Sequence, residues 1–231
     1  MVKEATSATA APNGVGCDTI LENGWIIEPD WQGKTVLCLG SGPSLTEADI
    51  EYAMARVDRT VAINTTGRIA PDADLLYYCD SKWWRWHCDE RWLRAFQARD
   101  AIIKGSLHDK ECNHAIGIRN IALTQPSGLE VRPDRLAHGR NSGYAVLNLV
   151  AHYAVERAIL LGYDMGYQAG QDSHWHGSHP TPQKPSVYNT MLKEWPSIVE
   201  PLKARGVGVI NCTPGSALQV FPRIRLREAL K

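Results

Sequence analysis

Three of the chain's eight histidines lie close together in the segment Ser173-His174-Trp175-His176-Gly177-Ser178-His179. Imidazole titrates near neutral pH and serves both as a general base and as a zinc ligand. The spacing therefore leaves three hypotheses open. Either His174, His176 and His179 bind a metal ion, or one of them removes a proton from a substrate hydroxyl, or the segment is a polar loop without chemistry.

A glycine-rich turn, Gly40-Ser41-Gly42-Pro43-Ser44, follows a short apolar run at residues 35–39. Two glycines allow the backbone to turn sharply and approach a ligand, and the start of a following helix attracts anions. The turn lacks the lysine of a P-loop and the third glycine of a dinucleotide-binding motif. It therefore predicts either an anion-binding turn of another kind or an ordinary tight connection.

A second candidate anion site is Gly139-Arg140-Asn141-Ser142-Gly143, at the start of an apolar segment that predicts a buried helix. Arg140 could bind a phosphate through two hydrogen bonds. The alternative is that Ser142 only caps the helix and that Arg140 is a solvated surface residue.

The segment Lys82-Trp83-Trp84-Arg85-Trp86-His87 mixes aromatic and basic side chains. Such a segment could stack on a base or a sugar ring. An amphipathic helix that packs its tryptophans on a sheet explains it better, with one exposed tryptophan left for an acceptor site.

The elements that must position these residues alternate between strands and helices. Apolar runs predict strands at residues 35–39, 60–63, 74–79, 101–103, 158–162 and 207–211. Helices are predicted after Pro43, where Ser44 with Glu47 or Thr46 with Asp49 fits a capping box, at 142–157, and up to about 205 with a break near Pro196. Residues 105–139 are interpreted as mixed loops.

This alternation predicts a single Rossmann-like α/β domain, with a mostly parallel sheet, helices on both faces and the histidine-rich segment as a loop resembling a lid. Ligands bind such sheets at the carboxyl ends of the strands. We therefore expect the polar residues that end the strands to converge: Ser41, Asn64, Asp80, Asp164 and Asn211.

The bulk composition excludes some classes of protein. Lys and Arg (25) balance Asp and Glu (25) in the 231 residues, whereas a dedicated duplex-DNA binder is usually basic. The six cysteines form no Cys-x-x-Cys pair, and no apolar run approaches the roughly 20 residues of a membrane span. We expect a cytoplasmic protein, monomeric or oligomeric, with a flexible segment at residues 1–16 and one domain at 17–231.

The order of these motifs resembles the bacterial sialyltransferases of glycosyltransferase family 42 and related Rossmann-like proteins, some of them encoded by phages. The resemblance extends over about residues 33–222. It is carried by the following residues: Gly40-Ser41-Gly42-Pro43-Ser44-Leu45, Asn64, Asp80, Ser142-Gly143, Gly162-Tyr163-Asp164, Ser173-His174-Trp175, His179, Cys212-Thr213-Pro214 and Ser216-Ala217-Leu218.

The resemblance implies a glycosyltransferase with a CMP-linked sugar as donor and no required cofactor or metal. His179 would deprotonate the acceptor hydroxyl, while Arg140 and Tyr167 (or Tyr163) would stabilise the leaving phosphate. The residues implied to hold the nucleotide are Gly40, Ser41, Gly42, Pro43, Ser44, Asn64, Asp80, Ser142, Gly143 and Asp164. A metal, if one binds, would be held by His174, His176 and His179.

The glycine-rich turn also resembles that of the archaeal-type pterin pyrophosphokinases. That resemblance implies a diphosphate transfer from a nucleoside triphosphate, with Mg²⁺ bound by Asp80 and Asp164. A third hypothesis is a protein that binds a nucleotide on the same scaffold without catalysis.

Overall fold

The structure of the chain is a computed structural model. It describes residues 24–167, 170, 172–181 and 184–231. The predicted flexible segment at residues 1–16 lies outside the described residues, as does the start of the predicted domain.

Eight parallel strands form one sheet in the order β6-β5-β4-β3-β2-β1-β7-β8. The central strands are apolar runs buried on both faces, as expected of a parallel sheet covered by helices. The strands are β1 (Thr35–Leu39), β2 (Arg59–Ile63), β3 (Leu75–Tyr78), β4 (Ile102–Ser106), β5 (Ile118–Leu123), β6 (Arg135–Leu136), β7 (Arg157–Leu161) and β8 (Gly208–Asn211).

The helices lie in the connections between the strands, except for α7, which follows the last strand. They are α1 (Glu47–Met54), α2 (Ser81–His87), α3 (Arg91–Gln97), α4 (Ser142–His152), α5 (Val187–Leu192), α6 (Pro196–Ala204) and α7 (Leu226–Ala229), with short 3-10 helices at Asn64–Arg68 and Asp109–Glu111. In the part of the chain that the structure describes, no helix is both long and apolar enough to cross a membrane.

The direction in which strands are added reverses at β1. The chain proceeds outward from β1 to β6, and α4 then returns it to β7, which pairs with the other side of β1. Right-handed crossovers in the two directions place their helices on opposite faces of the sheet. The Rossmann-like α/β fold with helices on both faces is therefore confirmed. Its topological switch point lies at the carboxyl ends of the neighbouring strands β1 and β7, which is where such folds bind ligands.

The interpretation of residues 105–139 as loops was wrong, because β5 and β6 lie within them. β5 carries Arg119 and Asn120 as its second and third residues, which leaves only a short apolar stretch at its end. Backbone pairing holds it to β4, with Asn120 opposite Lys104. β6 has only two residues, which is too short for a recognisable side-chain pattern.

One helix prediction also needs correction, and an alternative left open for another helix is resolved. The helix predicted at 142–157 ends at His152, because Ala154 adopts a left-handed conformation (φ 59°) before β7 begins. Of the two capping pairs offered for α1, Thr46 with Asp49 is the correct one: the Thr46 side chain accepts a hydrogen bond from the Asp49 N–H at 3.2 Å. The predicted break near Pro196 is confirmed, since Pro196 is the first residue of α6.

The tryptophans of the 82–87 segment mainly pack on the sheet, as predicted. Trp83 is buried with its ring 5.0 Å from that of Tyr78, and Trp84 stacks on the same tyrosine at 5.4 Å. These contacts fix α2 against the end of β3. Trp86 takes part in neither contact.

Candidate functional site at the switch point

A cleft of about 420 Å³ lies at the carboxyl ends of β1, β2, β3 and β7. This volume is in the range of small-molecule binding sites. Its lining combines residues that the sequence placed in separate motifs: Gly40, Ser41, Gly42, Pro43, Asn64, Asp80, Arg140, Ser142, Gly143, Asp164, His174 and His179. The predicted convergence of the polar residues that end the strands therefore holds for Ser41, Asn64, Asp80 and Asp164.

The glycine-rich turn is tied closely to the loop that follows β7. Gly40 and Gly42 donate backbone hydrogen bonds to Leu161 and Gly162, each at 2.8 Å. A Cβ on Gly42 would lie 2.7 Å from the Gly162 oxygen and 2.5 Å from the carboxyl carbon of Asp164. Glycine is required at this position because the two loops approach each other so closely.

Asp164 occupies the position at this turn where a ligand anion was expected. Its carboxylate accepts hydrogen bonds from the Ser44 N–H at 3.1 Å and the Ser44 hydroxyl at 2.9 Å. Burial raises the pKa of Asp164, while the two bonds from Ser44 act in the opposite direction. Ser44 does not line the cleft, so it stabilises the turn through Asp164.

The start of α4 presents the second predicted anion site to the cleft. Asn141 caps the helix by accepting a hydrogen bond from the Tyr144 N–H at 3.2 Å, so the helix begins at Ser142. The N–H groups of a first helical turn have no partner within the helix and attract anions. Arg140 adjoins them, exposed and 3.4 Å from Glu194 in an ion pair.

Left-handed backbone conformations are concentrated around the cleft. Asn64 (φ 52°), Arg140 (φ 55°) and Met165 (φ 55°) all line it, and the described chain has only two other non-glycine residues with positive φ. Such conformations cost free energy and tend to occur at functional sites. The side-chain oxygen of Asn64 is also buried without a hydrogen-bond partner among the described residues.

The three histidines of the 173–179 segment form a cluster at the edge of the cleft. One ring nitrogen from each of His174, His176 and His179 lies within 4.8 Å of the other two. The ring of His179 also lies 5.7 Å from that of Trp86. His174, His179 and Trp86 line the cleft, whereas His176 lies behind them.

Hydrogen bonding fixes the tautomer of His174. Its Nδ1 lies 3.2 Å from the carbonyl oxygen of Ser41, which can only accept, so Nδ1 carries the proton. The opposite nitrogen, Nε2, is then a lone-pair donor. The Nε2 atoms of His174 and His176 are both buried and have no partner among the described residues.

The pKa of each of the three imidazoles is lowered, which favours the uncharged ring. Burial and, to a smaller extent, the neighbouring histidines together lower the pKa of His174 and His176 to about 4. Burial also lowers the pKa of His179, followed by repulsion from His87. Each ring therefore offers a nitrogen lone pair to a proton or a metal ion.

Besides Ser44 and His176, two more predicted residues lie outside the cleft. Tyr167 packs edge-on against Tyr188 with the ring centroids 5.6 Å apart, and Tyr188 is the one that lines the cleft. The side chain of Asn211 is buried and donates hydrogen bonds to Ser216 and to the Leu218 carbonyl, both at 3.0 Å. Asn211 thus stabilises the loop after β8.

Sequence reasoning missed several residues of the lining, including Thr181, Tyr188 and Met191. Tyr188 and Met191 come from α5, which the sequence merged into one long helix. Their spacing of three residues places both on one face of a helix. This spacing was the one sequence pattern that could have indicated them. It does not distinguish a helix surface that faces a ligand from one that packs on the rest of the protein.

No family model matches this chain, and no curated protein matches it. The two family resemblances therefore remain predictions. The geometry brings together His179 and Arg140 but not Tyr167. Of the thirteen site residues that the family 42 resemblance implies, all except Ser44 and Tyr167 line the cleft, but a shared set of lining residues does not by itself identify a reaction.

Proposed function

We propose that the protein is a glycosyltransferase that binds a nucleotide-sugar donor, with CMP-linked sugars as the first candidates, in the cleft at the switch point. The observation that carries this proposal is that an arginine-flanked helix N-terminus and a histidine, His179, line the same cleft. The first suits the phosphate of a donor, and the second suits the hydroxyl of an acceptor.

The donor phosphate binds at the start of α4. The N–H groups at Ser142 and Gly143 carry partial positive charge, and Arg140 adds a full one. The glycine-rich turn is the weaker anion site of the two, because Asp164 already accepts the hydrogen bonds of Ser44. Gly40 and Gly42 instead supply a close backbone wall for the nucleotide.

The base and the sugar use the remaining polar and aromatic groups. The unpartnered oxygen of Asn64 suits the exocyclic amino group of cytosine, which is a hydrogen-bond donor. Trp86 provides a ring surface beside His179 for a sugar. The lid role of the 172–181 loop belongs to this proposal, since closure over the donor would exclude water.

In the transfer, the bond between the anomeric carbon and the phosphate oxygen breaks, and its electron pair leaves with the nucleotide. The acceptor oxygen forms the new bond to the anomeric carbon, and its proton passes to His179. Arg140 and the α4 N-terminus stabilise the negative charge that develops on the leaving phosphate.

The diphosphokinase alternative is less well supported. It needs Asp80 and Asp164 as Mg²⁺ ligands, but both Asp164 oxygens accept hydrogen bonds from Ser44, and the Asp80 side chain caps α2 through the Lys82 N–H at 2.7 Å. Among the described residues, the three histidines form the only group of three potential ligands that converge. Imidazole nitrogens are not the ligands that Mg²⁺ prefers.

The first experiment is a thermal-shift panel with CMP, CDP, UDP, GDP, ATP and GTP, each with and without Mg²⁺. A nucleotide at one hundred times its Kd stabilises by about 2.7 kcal/mol, which for a domain of this size raises Tm by about 5–11 °C. We expect a shift with CMP that does not depend on Mg²⁺. Absence of a shift with every nucleotide would overturn the proposal, and a Mg²⁺-dependent shift with ATP or GTP alone would favour diphosphate transfer.

The second experiment measures CMP release from CMP-linked sialic acid by the wild type, by His179→Ala and by His114→Ala. His114 is an exposed histidine outside the cleft and serves as the matched control. We expect His179→Ala to lower turnover by about 100-fold or more while CMP still binds. CMP binding without any release by the wild type would replace the transferase with a non-catalytic binding protein.

A further inference from the structure

We infer that His174, His176 and His179 form a binding site for one divalent transition-metal ion, with Zn²⁺ as the best-fitting ion. Two of the three ligands line the nucleotide cleft, so a fourth coordination position would open toward bound substrate. The binding site itself does not depend on the proposed function.

The distances are close to those of a three-histidine site. Zinc binds imidazole at about 2.0–2.1 Å, so two ligands of a tetrahedral site are about 3.4 Å apart. The ligand atoms here lie within 4.8 Å of one another, and the ring centroids are 4.6–5.1 Å apart. Small side-chain rotations are enough to close this difference.

The partners of the rings have the arrangement found around metal-bound histidines. Such a histidine donates the N–H of its other nitrogen to a carboxylate or a backbone carbonyl. The Nδ1 of His174 does so toward the Ser41 carbonyl, and His176 makes a hydrogen bond to its own backbone. The nitrogens left over are the buried Nε2 atoms that have no partner among the described residues.

The chemistry of the ligands selects the ion. A metal ligand must be the neutral form of imidazole, which offers a nitrogen lone pair. Three nitrogen ligands suit zinc, nickel, copper and iron, whereas Mg²⁺ and Ca²⁺ require oxygen ligands. Asp80, whose charge acts on His179, adds a nearby negative charge.

The ion has a consequence for the proposed transfer, and this part of the inference rests on that proposed function. A bound ion occupies the lone pair with which His179 would accept the acceptor's proton. Metal loading and base catalysis by His179 are therefore mutually exclusive, and Zn²⁺ should inhibit transfer. Binding and inhibition are measured separately, so that a failure of the transferase proposal leaves the metal site standing.

The test uses the full chain without a histidine tag, freed of metal by chelation. Zn²⁺ binding is measured by calorimetry, and Co²⁺ is added as a spectroscopic probe of a tetrahedral nitrogen site. The variants are His176→Ala, which alters a ligand behind the cleft, and His179→Ala, which alters one that lines it. His114→Ala is the matched control, and circular dichroism establishes that each variant is folded.

We expect one Zn²⁺ per chain, an intense visible Co²⁺ spectrum, and losses of affinity of at least about 100-fold in both ligand variants, because even outer partners of a ligand contribute 10–100-fold. His114→Ala should bind as the wild type does. The inference is overturned by the absence of stoichiometric binding, or by equal affinities in the ligand variants and the control. Retained binding by His179→Ala alone would also overturn the three-ligand site.

Discussion

Gly42→Ala is the substitution that tests the geometry of the cleft most directly. The added methyl carbon would lie 2.5 Å from the carboxyl carbon of Asp164 and 2.7 Å from the Gly162 oxygen, both well inside van der Waals contact. The Gly162 oxygen belongs to the backbone and cannot rotate away. Asp164 must therefore move, and we expect both of its hydrogen bonds from Ser44 to be lost.

The expected loss of stability follows from those two bonds. A hydrogen bond to a charged group contributes about 1.5–3 kcal/mol, and Asp164 is half-buried, so the lower value applies to each. The free energy of unfolding should fall by about 3 kcal/mol for the pair. For a domain of this size, that corresponds to a Tm lower by about 6–12 °C.

The assay is thermal unfolding by circular dichroism together with urea unfolding, at pH 7. Gly166→Ala is the matched control: it lies in the same cleft, but its new carbon would meet only Ala217 at 3.8 Å. We expect the control to stay within about 0.5 kcal/mol of the wild type. A Gly42→Ala protein as stable as the Gly166→Ala protein would refute the packing of the two loops.

A double-mutant cycle isolates the role of Asp164. Asp164→Ala removes the group that the methyl would displace, so Gly42→Ala should cost less in that background than in the wild type. The two single losses should therefore sum to more than the loss in the double variant, as expected for groups in direct contact. Strict additivity would mean that the two positions do not interact.

Two further predictions concern buried polar groups. Asn148 accepts hydrogen bonds from the N–H groups of Glu130 (2.9 Å) and Ala137 (2.8 Å) and donates one to the Glu130 carbonyl. Asn148→Ala should therefore lower the free energy of unfolding by about 3 kcal/mol or more. The measurement is urea unfolding, with Asn189→Ala, at an exposed position, as the control. Burial lowers the pKa of Lys104 in the folded protein. Between this lowered pKa and the unfolded pKa of about 10.4, the unfolded chain binds more protons than the folded chain, so the free energy of unfolding rises with pH. The stability of the wild type relative to Lys104→Met should accordingly rise between pH 7.5 and 10, and a constant difference would contradict it.

The parts of the fold that could be predicted from the sequence are those with a local cause. Residues 35–39 form an apolar run buried in a parallel sheet, and Pro196 can only begin or break a helix. β5 could not be predicted in this way, because its Asn120 side chain faces polar partners: it accepts from the Asn113 N–H at 2.9 Å. Its position in the sheet depends on pairing with β4, which is a property of the tertiary structure.

The same distinction between local and tertiary causes applies to the candidate site. Motifs such as the 40–44 turn and the 139–143 segment identify themselves by residue type, and the strand order then brings them together. The contact of Asp164 with Ser44 spans 120 residues, so no local pattern could show that this carboxylate fills the turn. The sequence did not decide whether the three imidazoles converge, because the spacing of residues in a loop does not fix the directions of their side chains.

The conformation of Arg140 connects the energetics of the cleft with its proposed use. Its left-handed backbone costs about 1–3 kcal/mol, and it directly follows Gly139, which has the same conformation (φ 51°). Its ion pair with Glu194, at 3.4 Å on an exposed side chain, contributes at most about 1 kcal/mol and does not offset that cost. The same weak pair can be exchanged for a phosphate, which a guanidinium binds through two parallel hydrogen bonds. Under the proposed function, binding of an anion at the start of α4 would account for the strain at Arg140.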